Sequence, residues 1–149
     1  MIEIRSILAP TDFSRHAEAG LRYACGLAER FGATLHVLHV LSEIVPVGPD
    51  PMIAPILPPE YYQESEKQAA ETLATLLRSE WGRAAAVENS VRWGSPVEVV
   101  IEYARTRSIG LIVISTHGRT GLSHVFLGSV AERIVREAPC PVLTIRDRS

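Results

Sequence analysis

Only two of the 149 residues are cysteine, Cys25 and Cys140. Two thiols so far apart make no disulfide framework and show no zinc-ligand spacing. Buried or idle thiols are the expected reading, with paired metal ligands or a redox switch as the alternatives. An excess of charge of one sign is also lacking: 15 Lys and Arg stand against 17 Asp and Glu, a net charge of −2. No strong field draws such a chain to DNA or to an anionic membrane, so neither nucleic acid nor membrane is an expected partner. The apolar runs fall far short of the roughly 20 residues that span a bilayer. Met1-Ile2-Glu3-Ile4-Arg5 lacks the basic start and long apolar stretch of a signal peptide. The expectation is a soluble cytoplasmic protein. What the chain does have is core material, with 46% hydrophobic residues, and a length that suits one domain, 1–149.

Short apolar runs alternate with segments of helical period. Ile7-Leu8-Ala9 reads as a buried strand. After the polar turn Thr11-Asp12-Phe13-Ser14, residues Ala17, Leu21, Ala24, Ala28 and Phe31 recur at helical spacing, with Ser14 as cap and Gly32 as stop. Leu35 to Leu41 is a second strand, apolar enough to be covered on both faces. Residues 42–59 hold six prolines and no period, which makes a long loop. Glu60 to Glu80 is a helix and Val87 to Trp93 a third strand. Gly94 turns the chain into Ser95-Pro96-Val97-Glu98, which combines a capping box with proline at the first helical position. Leu111 to Ile114 is the fourth strand, Ser129-Val130-Ala131-Glu132 a second capping box, and Val142 to Ile145 the last strand. Five strands alternating with four helices predict a parallel α/β sheet with helices on both faces.

The chemistry-bearing segment runs from Ser115-Thr116-His117-Gly118-Arg119-Thr120-Gly121 to Gly128-Ser129. It leaves the end of a strand and enters a helix. Gly118 and Gly121 leave room for positive φ and for close approach of a ligand. Backbone N–H groups of such a loop can converge on an anion, and the first turn of the following helix favours negative charge. The pair suits a polyphosphate; the alternative is an ordinary glycine-bearing turn before a capped helix. There is no Gly-Lys-Ser loop and no Gly-x-Gly-x-x-Gly after the first strand. His117 and His124 have no third ligand at metal spacing, so a structural role in the loop is expected and no metal site is assigned.

Pro10-Thr11-Asp12-Phe13-Ser14, His39-Val40, Gly94-Ser95-Pro96, and the stretch from Ser115 through Gly128-Ser129-Val130-Ala131-Glu132-Arg133 to Pro139-Cys140-Pro141-Val142-Leu143 together resemble the universal stress protein family. The resemblance covers essentially the whole chain. Its ATP-binding branch has a pattern of Gly, two residues, Gly, nine residues, Gly, then Ser or Thr. The second and third glycines fall on Gly118 and Gly128 and the hydroxyl on Ser129, whereas the first position is Ser115. The resemblance implies a Rossmann-like open sheet of order 3-2-1-4-5, with a ligand at the switch point between strands one and four. It further implies adenosine contacts at Pro10, Thr11, Asp12, Val40 and Ile114, and phosphate contacts at Gly118, Arg119, Gly128, Ser129 and Val130. Ser115 stands among them. Asp12 then meets ribose or adenine, or helps hold a divalent cation, Mg or Mn, with the phosphates; a turn or cap role is its alternative. Val40 and Ile114 are walls for the base or simple core. Arg119 meets phosphate or is solvated, and Ser129 caps its helix or offers its hydroxyl to phosphate.

The function so implied is an adenine-nucleotide-binding module of stress response or signalling, acting as a homodimer through its last strand. Val142 and Ile145 are expected at the interface and Leu143 on the other side of the sheet. A slow ATPase or self-phosphorylating protein is the alternative, disfavoured by the lack of an evident general base. A dimeric interaction protein that has lost its nucleotide is the second alternative. At Ser115, which ends a strand, strand-like dihedrals are expected, with the hydroxyl turned away or bonded to the ligand.

Overall fold

Apolar runs of four or five residues are too short for helices and too apolar for a surface, so they become the buried strands of a sheet covered twice. The computed structural model describes residues 1–43, 57–79, 86–117 and 127–147. Strands β1 (Ser6–Pro10), β2 (Thr34–Leu41), β3 (Ala86–Trp93), β4 (Leu111–Ser115) and β5 (Val142–Ile145) alternate with helices α1 (Arg15–Phe31), α2 (Pro59–Ser79), α3 (Pro96–Thr106) and α4 (Ser129–Glu137). All neighbours pair in parallel, in the order β3-β2-β1-β4-β5, a Rossmann-like α/β sheet. Residues 44–56 of the proline-rich segment lie outside the described residues; Pro59, at its end, opens α2.

Side chains alternate along each strand, and that alternation divides the core. Ile7, Ala9, Leu35, Val37, Leu111 and Val113 meet Leu21, Ala24 and Ala28 of α1 and Leu73 and Leu77 of α2. Leu8, Leu38, Ile112 and Ile114 meet Val97, Val100 and Ile101 of α3 and Ile134 of α4. Thus α1 and α2 cover one face and α3 and α4 the other.

Helix α1 begins and ends as its sequence predicts. Ser14 Oγ accepts the Ala17 N–H at 3.2 Å, and Gly32 is left-handed at φ 63°. The two capping boxes do not form. Ser95 stands at the N-cap of α3 without a side-chain cap bond. The Glu98 carboxylate accepts its own backbone N–H and Arg133, which hold its carboxyl below the usual range. At α4 the N-cap is Gly128, one residue earlier than expected, so Ser129 is already helical. Glu132 instead binds Arg136 one turn on, at 2.6 Å.

The strand alternation also changes the assignment of β5. Ile145 is only 6% exposed and belongs to the core against α1, so its side chain is not available to a partner. Leu143 shares its face and is 38% exposed, while Val142 lies half-buried on the opposite face.

Two histidines sit inside the apolar run of β2. His36, 5% exposed, has Nδ1 hydrogen-bonded to the Tyr103 hydroxyl at 3.0 Å. Burial pushes its pKa below the ordinary 6.5; the nearby Glu88 opposes this and Arg107 adds to it. The folded protein therefore binds this proton less tightly than the unfolded chain. Stability from neutral His36 is intact above about pH 6.5 and is lost as pH falls through the depressed value. Urea midpoints of the native protein should fall between pH 7 and pH 5, and His36→Gln should flatten that slope. A slope unchanged by the substitution would place the titrating group elsewhere.

Candidate functional site

In an open parallel sheet, adjacent strands whose connections run to opposite faces leave a crevice at their carboxyl ends. Here those strands are β1, which leads to α1, and β4, whose chain continues to α4 on the other face. A cleft of about 600 Å³ opens there. Pro10, Thr11 and Asp12 from the end of β1, Val40 from β2, Ile114 and Ser115 from β4, and Gly128, Ser129 and Val130 at the start of α4 all line it. Residues far apart in the chain are thus brought together. Gly118 and Arg119 lie outside the described residues.

The turn from β1 to α1 is held from several sides. The Thr11 N–H donates to the Leu38 carbonyl, and His39 Nδ1–H donates to the Thr11 carbonyl at 2.8 Å, which fixes the His39 tautomer. Thr11 Oγ1 accepts the Phe13 N–H, and Asp12 Oδ1 accepts the Ser14 N–H at 2.9 Å. Phe13 adopts φ 62°, a left-handed conformation costing a bulky residue about 1–2 kcal/mol. Its ring stacks on His39 with centroids 4.1 Å apart, which repays part of that strain. The result is an Asp12 carboxylate positioned at the cleft wall by the Ser14 N–H of its own turn.

The opposite wall is the start of α4. Because Gly128 is the N-cap, it brings no side chain to the first-turn N–H groups. These donors and the helix dipole favour an anion. Gly128 is held close to β4: its N–H donates to the Thr116 carbonyl at 2.7 Å, and a Cβ there would come within 3.0 Å of the same oxygen. Between the two walls, Val40 and Ile114 supply apolar surface from the α3/α4 side of the sheet.

Ser115 shows how serine fits where the resembled pattern has glycine. It belongs to β4 and has no positive φ. Its side chain points to the α1 side, where Oγ donates to the His16 carbonyl and accepts the Gly20 N–H at 3.0 Å. A Cβ on Gly20 would stand 2.9 Å from that oxygen, so the missing side chain of Gly20 makes the space. Only the backbone edge of Ser115 is left for the cleft. Ser115→Gly should lower stability by about 1 kcal/mol, the contribution of its hydrogen bonding, and should change nucleotide affinity by less than about tenfold. Equilibrium unfolding and calorimetry read the two effects separately. Binding that appears only in the glycine variant would refute this.

Sequence reasoning missed several cleft residues, among them Tyr61, Ser65 and Trp93. The rule that ligands meet the carboxyl ends of strands would have flagged Trp93, which ends β3. The thiols do not contribute. Cys25 and Cys140 are free and half-buried, and burial pushes Cys25 up to about 11, far from a reactive thiolate. Among the described residues, no group of three His, Cys, Asp or Glu could hold a metal, and no helix is long and apolar enough to cross a membrane.

The chain matches the universal stress protein family over residues 3–146. A universal stress protein of Methanocaldococcus jannaschii is 30% identical over 142 residues, covering 95% of this chain and 82% of the relative. One of Thermus aquaticus is 31% identical over 145 residues, covering 95% and 98%. Among solved structures, universal stress protein UspA from Lactobacillus plantarum superposes with a TM-score of 0.80 at 26% identity, over 97% of this chain and 99% of that one. A universal stress protein in complex with cAMP (TM-score 0.63, 19% identity, 97% and 98% covered) and an AMP-bound one from Arabidopsis thaliana (0.61, 15%, 97% and 93%) share the fold. With the family matched along nearly its whole length and relatives near 30% identity spanning it, the chain belongs to the universal stress protein family.

Proposed function

We propose that this protein is a stress-response or signalling module that binds an adenine nucleotide, ATP in the first place, in the cleft between β1, β4 and α4. The observation that carries the reading is the pairing of two ends in one cleft. The uncapped first turn of α4 offers N–H donors and the Ser129 hydroxyl to phosphates. Asp12, Val40 and Ile114 offer a carboxylate and apolar walls suited to a nucleoside. Gly118 and Arg119 join the phosphate side in this reading, and Mg or Mn is bound through the phosphates. The family's solved members with cAMP and AMP support the ligand class.

Thr116 Oγ1 and His117 Nδ1 meet at 3.0 Å in the cleft lining; in this reading that pair is structural, the nucleotide is retained rather than turned over, and its presence is the signal. The protein acts as a homodimer through the open edge of β5, whose only partner among the described strands is β4. Leu143, exposed, and Val142, half-buried, are the contact side chains there. Calorimetry should show Mg-ATP binding more tightly than Mg-GTP, without sustained phosphate release, and light scattering should give twice the chain mass of 16.3 kDa. No heat with any adenine nucleotide would end the ligand assignment; hydrolysis at about 10 per second would make the protein an enzyme instead.

A further inference from the structure

Aromatic residues are scarce in this chain, with three Phe, four Tyr and two Trp. Three of them gather at one rim of the cleft. Tyr61 and Tyr62 lie in the first turn of α2, and Trp93 ends β3. Helical geometry gives α2 two working faces there. Tyr61 and Ser65, four residues apart, both line the cleft. Tyr62 and Glu66, also four apart, both hold Trp93: the Tyr62 ring meets the indole edge-on at 5.1 Å, and Glu66 accepts the indole N–H at 2.7 Å. Tyr62 also meets Tyr61 edge-on at 5.7 Å, so it braces both rings. None of the three belongs to either core cluster, and Tyr61 and Trp93 both present surface to the cleft.

This rim stands at the end of the cleft opposite the anion-binding wall. From β4 to β3 is three strand spacings, about 14 Å. A charged end and an aromatic end so separated match a ligand with phosphates at one end and a planar base at the other. We infer that Tyr61 and Trp93 are specificity-determining residues, which take the base by stacking and so distinguish a nucleotide from a bare polyphosphate. The inference rests on the nucleotide-binding reading above. The base has a π face that an aromatic side chain can meet at little entropic cost, because Tyr62 and Glu66 already hold Trp93 in place. Docking of α2 on β3 accounts for Tyr62 and Glu66, but it leaves the cleft-facing position of Tyr61 without a role.

The test uses a Trp81→Phe parent, in which Trp93 is the sole tryptophan, titrated with Mg-ATP and with Mg-tripolyphosphate by calorimetry and by fluorescence. ATP should quench Trp93, and tripolyphosphate should not. Adding Tyr61→Ala should weaken ATP by at least about tenfold and leave tripolyphosphate unchanged, and Tyr61→Phe should restore ATP. ATP binding that leaves Trp93 silent overturns the inference even if Tyr61→Ala fails to fold. So does a Tyr61→Ala protein that binds ATP like its parent, or that loses both ligands equally. No heat with ATP in the parent overturns the nucleotide reading itself, and the inference with it.

Discussion

Gly128→Val should lower Mg-ATP affinity by about a hundredfold, roughly 2.8 kcal/mol, while the protein stays folded. The backbone of Gly128 is extended, at φ −64° and ψ 155°, a region where a β-branched residue is at home. The substitution is therefore not a conformational one. Its first effect is local: the new Cβ would stand 3.0 Å from the Thr116 carbonyl, which must yield by a few tenths of an ångström. That overpacking costs about 1–2 kcal/mol of stability. Its second effect falls on the ligand. The two methyl groups sit at the N-cap, beside the first-turn N–H groups that the phosphates need, and charge-assisted bonds of that kind contribute about 1.5–3 kcal/mol each. Gly128→Ala separates the effects, since it brings the same Cβ against Thr116 without the branching methyls. Alanine should match valine in most of the stability loss and retain much more of the affinity. Equal affinities for the native and valine proteins would remove α4 from the ligand site; equal losses in alanine and valine would reduce the effect to the Thr116 contact.

The alternation of strands and helices was legible because each apolar run is short and ends at a turn or cap residue, as Ser14 and Gly32 do around α1. The strand order was not legible from periodicity; it came from the resemblance to the universal stress proteins, and the sheet agrees with it. Both capping boxes misled for one reason. A Ser-x-x-Glu spacing does not fix where the glutamate turns, and Arg133 and Arg136 offered Glu98 and Glu132 stronger partners. In β5 the expectation that Leu143 faces away from Ile145 conflicts with simple alternation, which puts the two on one face and Val142 on the other. His36 and His39 read as parts of an apolar strand, yet their partners, Tyr103 and Thr11, come from other elements and only meet them in the fold. Asp12, Val40 and Gly128 were named through the resemblance to the universal stress proteins, and they line the cleft because they sit at ends of strands or starts of helices. The aromatic rim was not legible, because Tyr62 meets Trp93, and Tyr61 beside it joins the same cleft, only after α2 has packed on β3.

Gly94→Ala should be the more damaging of two alanine substitutions at positive-φ glycines, costing roughly 3 kcal/mol against about 1 kcal/mol for Gly32→Ala. Gly32 ends α1 at φ 63°, inside the left-handed well near +57° that other residues enter at modest cost. A Cβ there meets nothing within 4 Å. Gly94 stands at φ 139°, well beyond that well, where a side chain is strained whatever the space. The space is also missing, since its Cβ would lie 2.8 Å from Cγ2 of Val99 in the first turn of α3. Strain and contact act together, because the Gly94 N–H donates to the Leu41 carbonyl at 3.0 Å and so pins the turn to the end of β2. Moving the turn to relieve one breaks the other. The loss also reaches the cleft, for Leu41 and Trp93 flank this bond and Pro96 follows it, and all three line the site. Urea unfolding of the two variants beside the native protein gives the order directly. A Gly32→Ala protein as destabilised as Gly94→Ala would mean that positive φ alone sets the cost, and that neither the Val99 contact nor the hold on Leu41 contributes.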